Sequence, residues 1–172
     1  MVKITGCLVV ILGTTLMGFK AADKIKQRYK SLMYLKKILI MLRAEIDYNQ
    51  SEINEIFGEL QKRTVGEFSK FFGDLYDETK GFYNQTISVY WDKAVDTKLC
   101  DMEFQNEDLQ KIKELGENLG YLDKKMQLNN IDYTLDYIDR ETNELGLNMD
   151  KNMKMWKMFG ALAGVFVTIV LV

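Results

Sequence analysis

The stretch that decides the fold is residues 122–172, LDKKMQLNNIDYTLDYIDRETNELGLNMDKNMKMWKMFGALAGVFVTIVLV. From residue 128 to residue 159 its apolar residues recur at alternating spacings of three and four, interrupted only by Thr142 and Asn152. The positions in this series are Leu128, Ile131, Leu135, Ile138, Thr142, Leu145, Met149, Asn152, Trp156 and Phe159. A repeat of 3.5 residues is typical of a coiled-coil seam, so the stretch predicts one long helix.

After Lys157 this helix becomes apolar on all sides, because residues 158–172 contain no charged residue. We therefore predict a C-terminal transmembrane helix there, although it is short against the roughly 20 residues that usually span a bilayer. Residues 4–19 are also uncharged, and they predict an N-terminal transmembrane helix. A signal peptide is the alternative for that first stretch, but no small-x-small cleavage motif follows it.

The helix that begins with the first apolar stretch is predicted to continue unbroken as far as Tyr48, and it carries a second seam. It consists of Ile25, Leu32, Leu35, Leu39, Leu42 and Ile46. The chain contains no proline, so nothing interrupts either long helix. Two long helices with matching seams are predicted to pair side by side and antiparallel. The alternative is that both seams face a common globular core.

Shorter amphipathic helices are predicted between the two long ones. Thr64 and Glu67 fit a capping box, and Asn106 can cap a later helix. Gly120 suits a left-handed C-terminal position, and Asp123 can start the last helix. The predicted fold class is therefore all-α, a bundle of about six helices. Its two long antiparallel helices continue into the N- and C-terminal transmembrane segments.

Three domains follow from this interpretation: a transmembrane helix over 1–20, a helical body over 21–157 and a transmembrane helix over 158–172. Seven Lys or Arg residues fall between residues 20 and 37, and three more lysines lie between residues 151 and 157. Because positive charge favours the cytosolic side of a membrane, the body is predicted to be cytosolic and both termini to lie outside the cytosol.

Two sets of residues are predicted to act where the body meets the membrane. Lysines reach headgroups and a tryptophan keeps its N–H in water, so the interface residues are Lys3, Lys20, Lys154, Trp156 and Lys157. Gly160 and Gly164 form a small-xxx-small pair that lets another helix approach closely in the membrane. They are predicted to pack the two terminal helices of one molecule together, or alternatively to contact another membrane component.

A third set forms the seam of the helical bundle. Its members are Leu32, Leu35, Leu39, Leu42, Ile46, Leu128, Ile131, Leu135, Ile138 and Leu145.

Nothing in the sequence favours an enzyme. The chain has no histidine, no phosphate-binding loop, no CxxC and no GxSxG motif, so no catalytic residue, cofactor or metal ligand is predicted. The aromatic residues between residues 68 and 91 recur at helical spacing and are expected to pack in a core. Residues 20–50 are basic and residues 101–150 are acidic, which does not predict a nucleic-acid-binding face.

Several short motifs together resemble one bacterial family over essentially the whole chain. They are Met1-Val2-Lys3 with Gly6, Thr14-Thr15-x-x-Gly18-Phe19, Glu45-Ile46-x-Tyr48, Leu115-Gly116-x-x-Leu119-Gly120-x-x-Asp123-x-x-x-Gln127 and Lys154-Met155-Trp156-Lys157-x-x-Gly160-x-Leu162-x-Gly164. In this order the motifs resemble the stage III sporulation protein AB family of endospore-forming bacteria. Cys7 and the methionine-rich run before the last segment depart from that pattern.

The resemblance implies a mother-cell component of the channel complex that joins mother cell and forespore. It also implies similarity to the inner-membrane platform proteins of type II secretion and type IV pilus machines. The implied partners are a cytosolic ATPase, the other stage III channel proteins and the lipid bilayer of the mother-cell membrane. The function predicted is thus a non-enzymatic platform, and the alternative is a membrane-anchored sensor that binds a small ligand inside the bundle. Self-association is left open.

Overall fold

A computed structural model of the chain describes residues 2–48, 52–80, 86–117, 119–120 and 123–171. It describes their side chains except at residues 2–5, 7–10, 161, 165, 170 and 171. Within these ranges lie six α-helices and no strand: α1 (Val2–Tyr48), α2 (Ile53–Arg63), α3 (Glu67–Glu78), α4 (Ile87–Ala94), α5 (Asn106–Glu117) and α6 (Lys124–Leu171). A π-helical segment, Val95–Leu99, continues α4. The prediction of an all-α fold with six helices is confirmed.

The start of α6 follows from its sequence. The Asp123 carboxylate accepts a hydrogen bond from the backbone N–H of Met126 at 3.0 Å, as expected for a residue that caps a helix N-terminus. Gly120 has φ +83°, in the left-handed region that favours glycine. Both expectations for this turn are confirmed.

The capping box predicted for α3 is wrong. Thr64 instead ends α2, where its hydroxyl and its backbone N–H both donate to the Leu60 carbonyl, at 2.7 and 3.0 Å. The Thr64 N–H is the last i+4 donor of α2, and the hydroxyl of the buried Thr64 adds a second hydrogen bond to the same carbonyl. Helix α3 starts after Gly66, whose φ is +66°.

The chain divides into two compact units, each of which is described by itself. The central unit is Lys30–Thr142. The terminal unit consists of the part of α1 up to Tyr29 and the part of α6 from Asn143 onward. The domain boundaries predicted at residues 20 and 157 separate the helical body from segments expected in a membrane. They stay predictions.

An aromatic cluster lies in the core of the central unit. Phe57, Phe71, Phe72 and Trp91 are each 2% exposed or less, and the rings of Phe71 and Trp91 meet edge to face with centroids 4.9 Å apart. Full burial of one such side chain stabilises a fold by about 1.5–3 kcal/mol. The aromatic residues at 82 and 83 lie outside the described residues.

In the central unit α1 and α6 run antiparallel. Arg43 makes a two-pronged ion pair with Asp132, at 2.7 and 3.1 Å, and Lys36 pairs with Asp139. Residue numbers therefore fall along α6 as they rise along α1. These pairs are partly exposed, so they contribute little to stability, but they show the register of the two helices.

Within the part of the chain that the structure describes, no helix combines the length and the apolarity needed to cross a bilayer. The predicted transmembrane helices, over 1–20 and 158–172, are therefore not supported there. Each predicted segment also contains side chains outside the described residues, at 1–5, 7–10, 161, 165 and 170–172.

Candidate interaction surfaces

The predicted seam residues occupy two kinds of position. Those of α1 are buried: Leu32, Leu35, Leu39, Leu42 and Ile46. On α6, Ile131 and Ile138 are buried, at 0% and 1% exposure, whereas Leu128, Leu135 and Leu145 are half-buried. Of the α6 residues, all but Leu145 belong to the central unit, and Leu145 belongs to the terminal unit.

A buried polar pair joins α5 to α6 in the central unit. The Tyr137 hydroxyl donates to Asp108 Oδ1 at 2.8 Å, and the backbone N–H of Gln105 donates to Asp108 Oδ2 at 2.7 Å. Asp108 is 1% exposed and Tyr137 is 7% exposed. Burial and the nearby carboxylate both raise the pKa of the Tyr137 hydroxyl. Asp108 therefore holds the start of α5 against α6.

Sequence reasoning missed this pair. An acid in the first turn of a helix is a common feature that suits the helix dipole, and it gave no indication that Asp108 is buried. Asn106, which was expected to cap the helix, is instead the first residue of α5.

Other buried polar groups of the central unit are also satisfied within it. The Trp91 indole N–H donates to the Ile112 carbonyl at 2.7 Å. The hydroxyls of Thr79, Thr134 and Thr142 each donate to the carbonyl four residues earlier in the chain, at 2.6, 3.1 and 2.7 Å. The hydrogen-bond donors of these buried side chains are therefore already used inside the central unit.

The Asp92 carboxylate differs from the buried polar groups described above. Among the buried side-chain atoms of the described residues, Asp92 Oδ1 has no hydrogen-bond partner. Desolvation raises the pKa of Asp92, which the nearby Lys113 partly opposes. No group of three or more potential metal ligands occurs among the described residues, so Asp92 does not belong to such a cluster.

A surface groove of about 330 Å³ lies on the central unit. Its lining residues are Glu45, Glu55, Ile56, Gly58, Glu59, Lys62 and Tyr76. Two of its carboxylates are already paired: Arg63 contacts Glu45 at 2.8 Å, and Lys62 contacts Glu59 at 2.7 Å. The second pair lowers the pKa of Glu59. Paired charges at the rim do not favour the small-ligand sensor that the sequence left as an alternative.

In the central unit, each long helix carries an exposed apolar residue that is close in sequence to its ion-paired residues. Ile40, between Lys36 and Arg43 on α1, is 49% exposed, and Tyr133, next to Asp132 on α6, is 74% exposed.

In the terminal unit the predicted glycines face α1. A Cβ on Gly160 would lie 2.8 Å from the Thr14 carbonyl oxygen and 2.9 Å from the Gly18 Cα. A Cβ on Gly164 would lie 2.9 Å from the Ile11 Cα. These contacts support packing between the two terminal helices of one molecule, whereas the membrane environment of that packing stays a prediction.

The predicted interface residues also lie in the terminal unit. Lys20 and Lys154 are exposed, and Trp156 is 46% exposed. Lys157 is half-buried, with its Nζ 5.1 Å from the centre of the Phe19 ring. The side chain of Lys3 lies outside the described residues.

Comparison with known proteins gives the family. The family model described as stage III sporulation protein AB matches residues 3–172. Stage III sporulation protein AB of Bacillus subtilis (strain 168) is 24% identical over 172 residues, which cover 99% of each chain. A solved structure of a stage III sporulation protein AB has a TM-score of 0.64 at 18% identity, covers 72% of this chain and 96% of its own, and is similar in fold. The chain therefore belongs to the stage III sporulation protein AB family.

Proposed function

We propose that this chain is a non-enzymatic platform in a channel complex between mother cell and forespore. In this proposal the central unit contacts a cytosolic ATPase and other stage III proteins, and the terminal unit holds the chain at the mother-cell membrane. Family membership supports the sporulation process. Three parts of the proposal go beyond family membership: the platform role, the contact with an ATPase and the location at the membrane.

The observation that carries the platform role is the internal pairing of the buried polar groups in the central unit. Asp108, Tyr137 and Trp91 all make their hydrogen bonds inside the unit. A small-molecule site usually needs several polar groups that converge on a cavity. With these groups already paired, the outer surface of the central unit is the part best suited to act, as expected of a scaffold.

Charge on the central unit supports protein partners of more than one kind. Its α1 segment carries lysines on the exposed surface, such as Lys30 and Lys37, whereas α6 carries exposed acids such as Asp136. Charged surfaces of opposite sign give partner specificity and orient the encounter of proteins.

The test is co-purification of the tagged full-length chain from sporulating cells after mild crosslinking. We expect an ATPase and other stage III proteins in the purified material, with ATP hydrolysis that the chain alone lacks. Recovery of the chain without any of these proteins would overturn the platform role.

A pair of variants locates the contact. Tyr133→Arg tests the 74% exposed Tyr133 on α6, and Val65→Arg, at a 71% exposed position before α3, is the matched control. We expect Tyr133→Arg to reduce recovery of a partner while Val65→Arg leaves it unchanged. Equal recovery with both variants would place the contact elsewhere on the central unit.

A further inference from the structure

The long helices of the central unit each carry a stripe of exposed residues. On α6 the stripe recurs at alternating spacings of three and four: Met126, Asn129, Tyr133, Asp136 and Arg140. On α1 the spacings are seven, three and four, and the residues are Lys30, Lys37, Ile40 and Ala44. Residues at these spacings share one helix face. Each helix therefore has one exposed face in addition to the buried face that packs in the core.

The two stripes lie on the same side of the central unit. Both helices pack their buried residues into one core, so both stripes point away from it. The ion pairs of Lys36 with Asp139 and of Arg43 with Asp132 join the helices between the stripes. We call the two stripes together the α1/α6 face.

The α1/α6 face is basic. Lys30, Lys37 and Arg140 are exposed, and none of them forms an ion pair with another described residue. Against them stands the exposed Asp136, because the two acids beside the α6 stripe are already paired with α1. The face therefore carries an excess of positive charge.

The opposite side of the same unit is acidic. Residues 52–117, which include α2 to α5, contain fifteen acids and eight Lys or Arg residues. Exposed acids there include Glu52, Glu55, Asp77, Asp101 and Glu107. Helices α3 and α5 contact the inward-facing residues of α1 and α6, so α2 to α5 lie across the core from the α1/α6 face.

We propose that the α1/α6 face binds a second copy of this chain, through the acidic side formed by α2 to α5 of that copy. Charge complementarity selects this occupant, because each copy carries both the basic face and an acidic surface that matches it. The two surfaces are different, so the contact is head-to-tail rather than symmetric. Ile40 and Tyr133, which are 49% and 74% exposed, lose their contact with water in it.

The size of the face indicates a weak contact. From Lys30 to Tyr48, the last residue of α1, it is about 27 Å long at 1.5 Å per residue. Two helices packed side by side are together about 20 Å wide. Such a contact buries roughly 1,100 Å² in total, which is typical of transient complexes. The association is therefore reversible and depends on protein concentration.

This inference goes beyond the proposed function, because it concerns two copies of the chain. The test is sedimentation equilibrium of the purified full-length chain in detergent micelles. We expect a dimer or larger oligomer that forms with rising concentration at low salt. High salt should dissociate it, because the contact between exposed charges is screened.

The variants are matched in charge. Lys37→Gln with Arg140→Gln should weaken self-association by roughly 2- to 30-fold, the combined effect of two exposed charge pairs. Lys62→Gln with Lys70→Gln, two exposed lysines of α2 and α3, is the control. The control should associate at least as strongly as the parent, because its acidic side only gains negative charge. Circular dichroism checks that each variant is as helical as the parent.

Zero-length carbodiimide coupling, which joins a lysine amine to a carboxylate, identifies the two surfaces. A mixture of isotopically labelled and unlabelled copies separates links between copies from links within one copy. We expect Lys30 or Lys37 of one copy to be joined to a carboxylate within residues 52–117 of the other.

Four results would overturn the inference. They are a chain that stays monomeric at every concentration, association that salt does not weaken, equal loss in the control variant, and links from Lys37 only to α1 or α6 of the other copy. Co-purification of an ATPase is measured separately with the same variants. If self-association fails while that co-purification persists, the platform role stands and only this inference is lost.

Discussion

Gly160 of α6 packs directly on Gly18 of α1, so closely that a Cβ on Gly160 would lie 2.9 Å from the Gly18 Cα. The obstructing atoms are backbone atoms, since the Thr14 carbonyl oxygen is equally near. A flexible side chain could move aside, but two helix backbones can only separate. This contact therefore determines how closely the helices of the terminal unit approach each other.

We predict that Gly160→Leu with Gly164→Leu separates the two helices of the terminal unit and impairs sporulation. Overpacking of this kind typically costs about 1–3 kcal/mol. Spin labels at positions 16 and 162 should report a longer distance. Gly13→Leu is the control, because a Cβ there meets nothing within 4 Å. Normal sporulation with an unchanged distance would contradict the prediction.

The Asp108–Tyr137 hydrogen bond predicts a destabilised Tyr137→Phe variant. Removing the hydroxyl deprives a buried carboxylate of a donor, and a hydrogen bond to a charged group contributes about 1.5–3 kcal/mol. Urea unfolding of the full-length chain should show this loss. Tyr133→Phe is the matched control, because Tyr133 is 74% exposed. If both variants unfold like the parent, the bond contributes nothing to stability.

The same residue predicts a pH dependence. Folding raises the pKa of Tyr137, so above pH ~10 the unfolded chain loses this proton while the folded chain keeps it. The contribution of Tyr137 to stability is therefore complete below the unfolded pKa and falls as the pH rises above it. The gap in unfolding free energy between parent and Tyr137→Phe should stay constant below pH ~10 and narrow steadily as the pH rises above that unfolded pKa. A constant gap would show that Tyr137 titrates alike in both states.

On α6, we predict that Ile138→Asp destabilises the chain more than Leu135→Asp does. Both residues belong to the predicted seam, but Ile138 is 1% exposed and Leu135 is half-buried. An unpaired buried carboxylate costs several kcal/mol, a large part of the ~5–15 kcal/mol of a typical domain. Leu135→Asp should in turn cost more than Tyr133→Asp, at an exposed position. Thermal unfolding gives the order of the three, and the reverse order would show that burial does not determine the cost.

Two helical glycines of the central unit are predicted to respond differently to alanine. A Cβ on Gly116 would overlap the buried indole ring of Trp91, whereas one on Gly58 would meet the half-buried Tyr76 ring at 3.0 Å. Gly116→Ala should therefore destabilise by about 1–3 kcal/mol. Gly58→Ala should be nearly neutral, because the ring can shift and alanine favours helix by about 0.5–1 kcal/mol. Denaturant unfolding followed by far-UV circular dichroism compares the two variants, and equal stability would contradict the prediction.

Much of the local structure could be predicted from the sequence. The helical content follows from the periodicity and from the lack of proline, and Asp123 and Gly120 mark the turn before α6. These features depend on interactions within one turn of the chain. The apolar faces of the helices were predictable for the same reason, since spacing along the sequence determines which residues share a face.

Only the tertiary structure decided which members of each face are buried and which groups meet. Asp108 and Tyr137 are 29 residues apart, and nothing near either one indicates the other. Thr64 ends α2 instead of starting α3, because its hydroxyl and its backbone N–H both donate to the Leu60 carbonyl of the preceding turn. Leu135 and Ile138 follow the same repeat, yet the rotation of α6 in the packed unit buries one and leaves the other half-exposed. The rotation and register of a helix depend on the simultaneous packing of many side chains from distant helices. A sequence pattern contains the period of a helix, but it does not contain the angle at which that helix faces its neighbours.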